Sequence, residues 1–145
     1  MRNLRSTSVT MCLLLIGVVT ACNSTQSDPA ATIEAYVAAY NAADVDAIVQ
    51  LFDENAVITD HPGGTFTRTE QIRSLHGVGG ADGVDGTVAY TISNIEVSGN
   101  TVTWDHVWSG EEAGEPFQSC VEGHTATVEN GQIVSWTWPP TNYQC

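Results

Sequence analysis

Lysine is absent from this 145-residue chain, and only four arginines stand against 17 acidic residues. Binding to nucleic acid needs clustered Lys and Arg to neutralise phosphates. The composition therefore excludes a nucleic-acid partner. It excludes a peripheral grip on anionic lipid for the same reason. Long apolar runs are also lacking. The longest, from Val9 to Val19, is interrupted by Thr10 and Gly17 and falls short of the roughly 20 residues that cross a bilayer. The four histidines, His61, His76, His106 and His124, are scattered, with no H-x-H or H-E-x-x-H spacing for a metal. Nucleophile–base triads, phosphate loops and dinucleotide fingerprints are missing as well. No metal and no cofactor are expected.

The short apolar run has a use of its own. Arg2 and Arg5 precede it, and the length suits the apolar region of a signal peptide. Val19-Thr20-Ala21-Cys22 then resembles the bacterial lipobox, in which the cysteine thiol receives a diacylglycerol and becomes the first residue after cleavage. The resemblance implies a signal peptide over 1–21 and a lipid at Cys22. It implies a lipoprotein held on the outer face of a bacterial cell membrane, or in the periplasm. Two acyl chains anchor stably where one holds only marginally; plain secretion is the alternative. The remainder is a polar tether, 22–28, and one domain, 29–145. That domain is long enough for a core of its own. Two arginines against 17 acidic residues give the part from Cys22 onward a formal charge of −15, the charge of a soluble surface domain. Cys120 and Cys145 are left over, and two cysteines outside the cytoplasm are expected to form a disulfide.

Along the domain, Asp28-Pro29 reads as a helix cap followed by proline at the first helical position. Ile33, Tyr36, Val37 and Tyr40 recur at helical spacing. Asp44 opens a second helix carrying Val45, Ile48, Leu51 and Phe52, which Asp53-Glu54-Asn55 breaks. Ala56 to Asp60 is a short strand, and His61-Pro62-Gly63-Gly64 a turn or loop. Thr67-Arg68-Thr69-Glu70 has capping-box spacing for a third helix through Ile72 and Leu75. A glycine-rich loop covers Gly77 to Gly86. Four strands follow: Val88–Val97, Thr101–Ser109, Phe117–Val128 and Gln132–Trp138. Ser98-Gly99-Asn100, the acidic loop Glu111–Pro116 and Glu129-Asn130-Gly131 join them. Helices first and strands afterwards make an α+β domain.

The stretch from Tyr36 to Phe52, with Ala56 to Asp60 after it, resembles the opening of the nuclear transport factor 2-like superfamily. That superfamily includes ketosteroid isomerases and SnoaL-like polyketide cyclases. Arg68 to Arg73 resembles its third-helix entry, and Asn130 to Val134 its final hairpin. The resemblance covers essentially the whole domain. It implies a cone-shaped, curved antiparallel sheet wrapped around the N-terminal helices, with a ligand space inside. Many relatives pair through the outer face of the sheet, so a homodimer is one expected state.

In the ketosteroid isomerases a tyrosine at the position of Tyr36 donates a hydrogen bond to the substrate oxyanion. An aspartate at the position of Asp60 shuttles the proton. Their third group, a carboxylic acid kept neutral by an apolar site, falls at His124 here, with Glu122, Cys120 and Ala126 on the same face by alternation. Tyr36, Asp60 and His124 are thus the candidate catalytic residues for proton transfer next to a carbonyl. For each there is a plainer account: core packing for Tyr36, a turn for Asp60, and a buried structural role for His124. Tyr40, His61, Trp104 and Trp108 are candidates to wall a pocket for a small hydrophobic molecule. Core packing explains the tryptophans equally well. His106, between Trp104 and Trp108, reads as a satisfied structural histidine. Two functions stay open: a lipid-tethered pocket that binds without catalysis, and an isomerase- or cyclase-type enzyme.

Overall fold

A computed structural model of the chain describes residues 28–60, 64–67, 69–77, 86–112 and 114–140. The expected signal peptide, Cys22, His61, Arg68, most of the expected glycine-rich loop and Cys145 lie outside the described residues. No helix among the described residues is long and apolar enough to cross a membrane.

Helix α1 (Pro29–Asn41) starts where Asp28 accepts a hydrogen bond from the Ala30 N–H at 3.0 Å, with Pro29 in the first turn. The cap satisfies an amide that has no partner inside the helix. Thr32, Ile33, Tyr36, Ala39 and Tyr40 form its buried face, one turn apart, so α1 lies along the sheet with its aromatic side down. Helix α2 (Val45–Gln50) is capped in the same way by Asp44 onto the Ala47 N–H at 2.9 Å.

Strand β1 (Phe52–Asp60) begins earlier than its sequence suggests. Asp53-Glu54-Asn55 does not break the chain into a loop. Asp53 accepts from the Asn55 N–H at 2.8 Å, and the pairing with the last strand slips between Phe52 and Val57. The polar trio is a distortion within a strand. Strand β2 (Gly64–Thr67) folds back on β1, where only a turn was expected. Helix α3 (Thr69–His76) also starts differently. Gln71, not Glu70, reaches back, its side-chain oxygen accepting from the Thr67 N–H at 2.6 Å. An amide acceptor at this point serves the open helix end as well as a carboxylate does.

Strands β3 (Ala89–Ser98), β4 (Thr101–Glu112), β5 (Glu115–Glu129) and β6 (Gln132–Thr137) complete one six-stranded sheet, ordered β2-β1-β6-β5-β4-β3. The predicted acidic loop is shorter than expected. β4 and β5 stay paired out to Glu112 and Glu115, and Gly114, at φ +86°, makes the turn. Every pairing is antiparallel except β1 with β6, which is parallel. The curved α+β architecture agrees with the expectation, with this one parallel seam added.

Two irregularities face each other across β4. On β5 the partners step from Trp104↔His124 to His106↔Val121, so Glu122 and Gly123 together oppose Asp105. On β3 they step from Ser93↔Asp105 to Glu96↔Thr103. Asp105 joins both bulges: its carboxylate accepts from the Gly123 N–H at 2.8 Å and from the Asn94 side-chain amide at 2.7 Å. Gly123 sits at φ +80° and Asn94 at φ +52°, a region that glycine and asparagine enter most readily. Paired bulges bend a sheet, which is how this one closes over α1. A Cβ at Gly123 would meet nothing within 4 Å, so the cost of Gly123→Ala is purely conformational. Urea unfolding should show a loss of about 1–2 kcal/mol. An unchanged stability would mean that the bulge does not hold this conformation in solution.

Candidate functional site

The bulge on β5 changes which residues share its inner face. Simple alternation would put His124 beside Glu122 and Cys120. Instead Glu122 is exposed, and His124 is buried on the concave side together with Val121, Ala126 and Val128. Cys120 is held in a disulfide; Cys145, the partner expected for it, lies outside the described residues.

On the concave side, β4 contributes Trp104, His106 and Trp108, β5 contributes Ser119 and His124, and β6 leads to Trp136 and Trp138. The His106 and His124 rings lie 4.4 Å apart between centroids. Trp108 is 4.5 Å from His106, and Trp138 is 6.2 Å from His124. Ser119 pairs across the strands with Trp108.

Hydrogen bonding fixes the proton on His124. The Trp136 indole N–H donates to His124 Nδ1 at 3.0 Å. An indole nitrogen can only donate, so Nδ1 is the bare nitrogen and the His124 proton sits on Nε2. Trp104 donates to the Tyr90 hydroxyl oxygen at 3.5 Å, and that hydroxyl lies 3.0 Å from His106 Nδ1. A hydroxyl both donates and accepts, so Tyr90 satisfies His106 Nδ1 in either tautomer. Burial lowers the His106 pKa to about 4, although the Asp105 carboxylate pulls the other way. Burial lowers that of His124 to about 2, and the charge that His106 would carry lowers it further. Both rings are therefore neutral at pH 7, as two buried imidazoles with centroids 4.4 Å apart must be.

Their outer nitrogens are unsatisfied. His106 Nε2, His124 Nε2, Trp108 Nε1, Trp138 Nε1 and Ser119 Oγ are all buried and have no hydrogen-bond partner among the described residues. Each such group costs about 1–3 kcal/mol when nothing meets it, and native interiors contain few of them. Here all five side chains belong to one patch of three neighbouring strand segments. His106 is consequently not the satisfied histidine that its flanking tryptophans suggest: one nitrogen is bonded and the other is open.

The residues singled out from the sequence fall into two groups. Tyr36 is 1 % exposed and its hydroxyl lies 3.0 Å from His76 Nε2. His76 Nδ1 meets the Ile72 carbonyl at 3.0 Å. A carbonyl only accepts, so Nδ1 carries the proton and Tyr36 donates to Nε2. Tyr36 is packed among Tyr40, Phe52, Tyr90 and Trp136. Tyr40 also packs on Tyr90, with centroids 5.0 Å apart. His124 belongs to the other group. Trp136 joins the two, its ring 4.7 Å from Tyr36 and 5.9 Å from His124. Asp60 is half-buried at the end of β1, on the alternating face that carries the buried Ala56 and Ile58. The register Ile58↔Trp136 and Thr59↔Thr137 places Trp138 beside it. Trp104 is fully buried, stacked on His124 at 5.4 Å, whereas Trp108 is only partly buried. Nothing in the sequence pointed to Ser119. A signal for the bulge was there in Glu122-Gly123-His124, a glycine inside a strand.

The SnoaL-like domain model matches residues 33–136. The chain belongs to the SnoaL-like domain family. No curated protein matches it significantly. Among solved structures, this SnoaL-like domain is similar to a hypothetical protein of ketosteroid isomerase-like fold from Catenulispora acidiphila, solved in complex with trimethylamine. Identity is 25 %, with 77 % of this chain and 85 % of that one covered at a TM-score of 0.61. It is also similar to TerC co-crystallised with polyporic acid, at 14 % identity, 75 % and 88 % coverage and a TM-score of 0.63. A candidate polyketide cyclase from Sinorhizobium meliloti aligns at 18 % identity, 75 % and 94 % coverage and a TM-score of 0.59. The SnoaL-like core thus extends from α1 to β6 and contains every residue of the histidine–tryptophan patch except Trp138.

Proposed function

We propose that this SnoaL-like domain holds a small hydrophobic organic molecule against the concave face of its sheet, at His106, Trp108, His124 and Trp138, and that it does so outside the cytoplasm, tethered by a lipid on Cys22. The observation that carries the binding reading is the patch of buried polar atoms without partners. A fold keeps such groups together at a cost, and a bound molecule offsets that cost. Aromatic walls with a few polar groups are the usual make-up of a small-molecule site. Two of the structural neighbours were solved with small organic molecules, which agrees with this use of the fold.

The neutral fluorophore N-phenyl-1-naphthylamine tests the reading. Saturable one-to-one binding is expected under native conditions, with at least tenfold weaker binding to Trp108→Ser. Absence of saturable binding would remove the reading. The tether has its own test, since Cys22→Ala should move the protein from the membrane to the soluble fraction. A variant that stays with the membrane contradicts the anchor.

A second reading is an isomerase- or cyclase-type enzyme with Asp60 as the proton shuttle. Two observations favour it: the inward position of Asp60 beside Trp138, and a neutral His124 with a free N–H, suited to stabilising an oxyanion. Tyr36, the other proposed oxyanion donor, would first have to release His76.

A further inference from the structure

Strand β5 outruns the strand beside it. β6 covers only its last stretch, from Thr125↔Thr137 to Glu129↔Gln132. Over 115–123, β5 pairs with β4 on one side and with no strand among the described residues on the other. An open strand edge invites pairing with other chains, and native proteins cover it. We infer that the C-terminal segment 141–145 is the cover: a strap along this edge of β5, tied from Cys145 to Cys120 by the disulfide. It closes the side of the histidine–tryptophan patch between Ser119 and Trp138, and reducing the bond opens it.

The disulfide places the strap. Cys120 is half-buried and disulfide-bonded. Its neighbours Ser119 and Val121 turn to the concave side, so Cys120 faces outward by alternation. The sequence offers three partners, Cys12, Cys22 and Cys145. The first two precede α1, which starts at the far end of β5, where Thr32 donates to the Gly131 carbonyl. Cys145 comes from the near end. β6 runs antiparallel to β5, so the chain beyond Thr137 already heads along 115–123 toward Cys120. From the Thr125↔Thr137 pair, Cys120 lies about 17 Å away along β5. The chain from Thr137 to Cys145 spans up to about 28 Å, so the bond closes with length to spare. Trp138 is still held by the sheet, its backbone N–H donating to the Thr59 carbonyl at 2.8 Å, and its ring lies 6.2 Å from that of His124. Pro139 and Pro140 cannot donate to β5. They stop β6 next to the Glu122–Gly123 bulge and leave 141–145 to cover the edge beyond it. A second copy of the chain is a poor rival for this edge. Each copy carries a formal charge of −13, and two such surfaces repel.

Opening the strap is a two-electron step. Dithiothreitol, a dithiol, is oxidised to its cyclic disulfide, and the two cysteine sulfurs each gain an electron and a proton to become thiols. Peptide mapping of the protein purified without reductant should recover Cys120 linked to Cys145. Hydrogen exchange then reads the edge. On adding dithiothreitol, the alternate amides of 117–123 that point away from β4 should exchange about tenfold faster or more, while the amides paired between β3 and β4 keep their rates. Acrylamide should quench tryptophan fluorescence more strongly in the reduced protein, because Trp138 is uncovered. Cys145→Ser should reproduce both changes without reductant. A chain ending at Pro140 removes the strap outright and should show them in full. Cys120 linked to any other cysteine, or unchanged exchange over 117–123 in the shortened chain, would overturn the strap. Acceleration spread evenly over every strand would overturn it too, as a general loss of stability rather than an opened edge. So would edge amides that stay protected after reduction in a sedimenting dimer, which would give the edge to a second copy.

Discussion

Lowering the pH from 7 to 5 should cost the domain about 4 kcal/mol of folding stability, close to 2 kcal/mol from each of two histidines. His106 and His124 hold folded-state pKa values of about 4 and about 2. In the unfolded chain each returns to about 6.5. Between those limits the unfolded state binds protons that the folded state refuses. The stability is fully present above pH 6.5 and is lost as the pH falls, through about pH 4 for His106 and further for His124. The direction is informative because this acidic domain should otherwise gain from acidification, as its 17 carboxyl groups begin to lose their mutual repulsion. Urea unfolding at pH 7, 6 and 5 measures it. His106→Asn should remove about half of the pH-dependent loss whatever its effect on stability at pH 7. An identical pH dependence in His106→Asn and the unsubstituted domain would mean that the His106 ring reaches water.

Trp136→Ala should destabilise the domain by about 4 kcal/mol, at the upper end of large-to-small core changes. Trp136 is 1 % exposed. It packs on Tyr36, Phe52, Trp104, His124 and Trp138. It is the wall between the Tyr36–His76 group and the histidine patch, so a cavity there merges the two. Trp136→Phe separates volume from hydrogen bonding. It keeps most of the ring, leaves His124 Nδ1 buried and without its donor, and should cost about 1–3 kcal/mol. It also frees the His124 proton to move to Nδ1, where the outer nitrogen becomes an acceptor. Equilibrium unfolding reads the cost, and the ¹H–¹⁵N spectrum of the His124 side chain reads the position of its proton. A Trp136→Ala domain that loses less than about 1 kcal/mol would show that this ring is not the partition of the core.

Much of the architecture was legible because local chemistry and global fold agree. The Asp28 and Asp44 caps, the aromatic stripe on α1, and the turns at Gly99 and Asn130 are all where residue type and spacing put them. What could not be read was register. Alternation assigns His124 to the face of Glu122, and one extra residue in β5 moves it to the opposite side. Gly123 marks that bulge, but only Asp105, 18 residues away, shows why the strand bends there. The strand start at Phe52 and the small β2 are similar cases. Polar or turn-forming residues were recruited to the sheet by neighbours distant in sequence. Partner identity was equally hidden. Tyr36 meets His76 from a helix 40 residues on, and His106 looked satisfied because nothing in the sequence distinguishes its two nitrogens. The site is therefore a product of strand pairing, and the sequence supplied its members without their arrangement.

The most direct test is the protonation of His106 and His124. A long-range ¹H–¹⁵N correlation spectrum of the histidine side chains, recorded on the free domain at pH 7, distinguishes Nε2-protonated, Nδ1-protonated and doubly protonated rings. Burial requires both rings to be neutral, and the Trp136 hydrogen bond requires the His124 proton on Nε2. A charged ring at either position, or an Nδ1-protonated His124, would contradict the account, since the patch would then not be a buried uncharged surface held by Trp136.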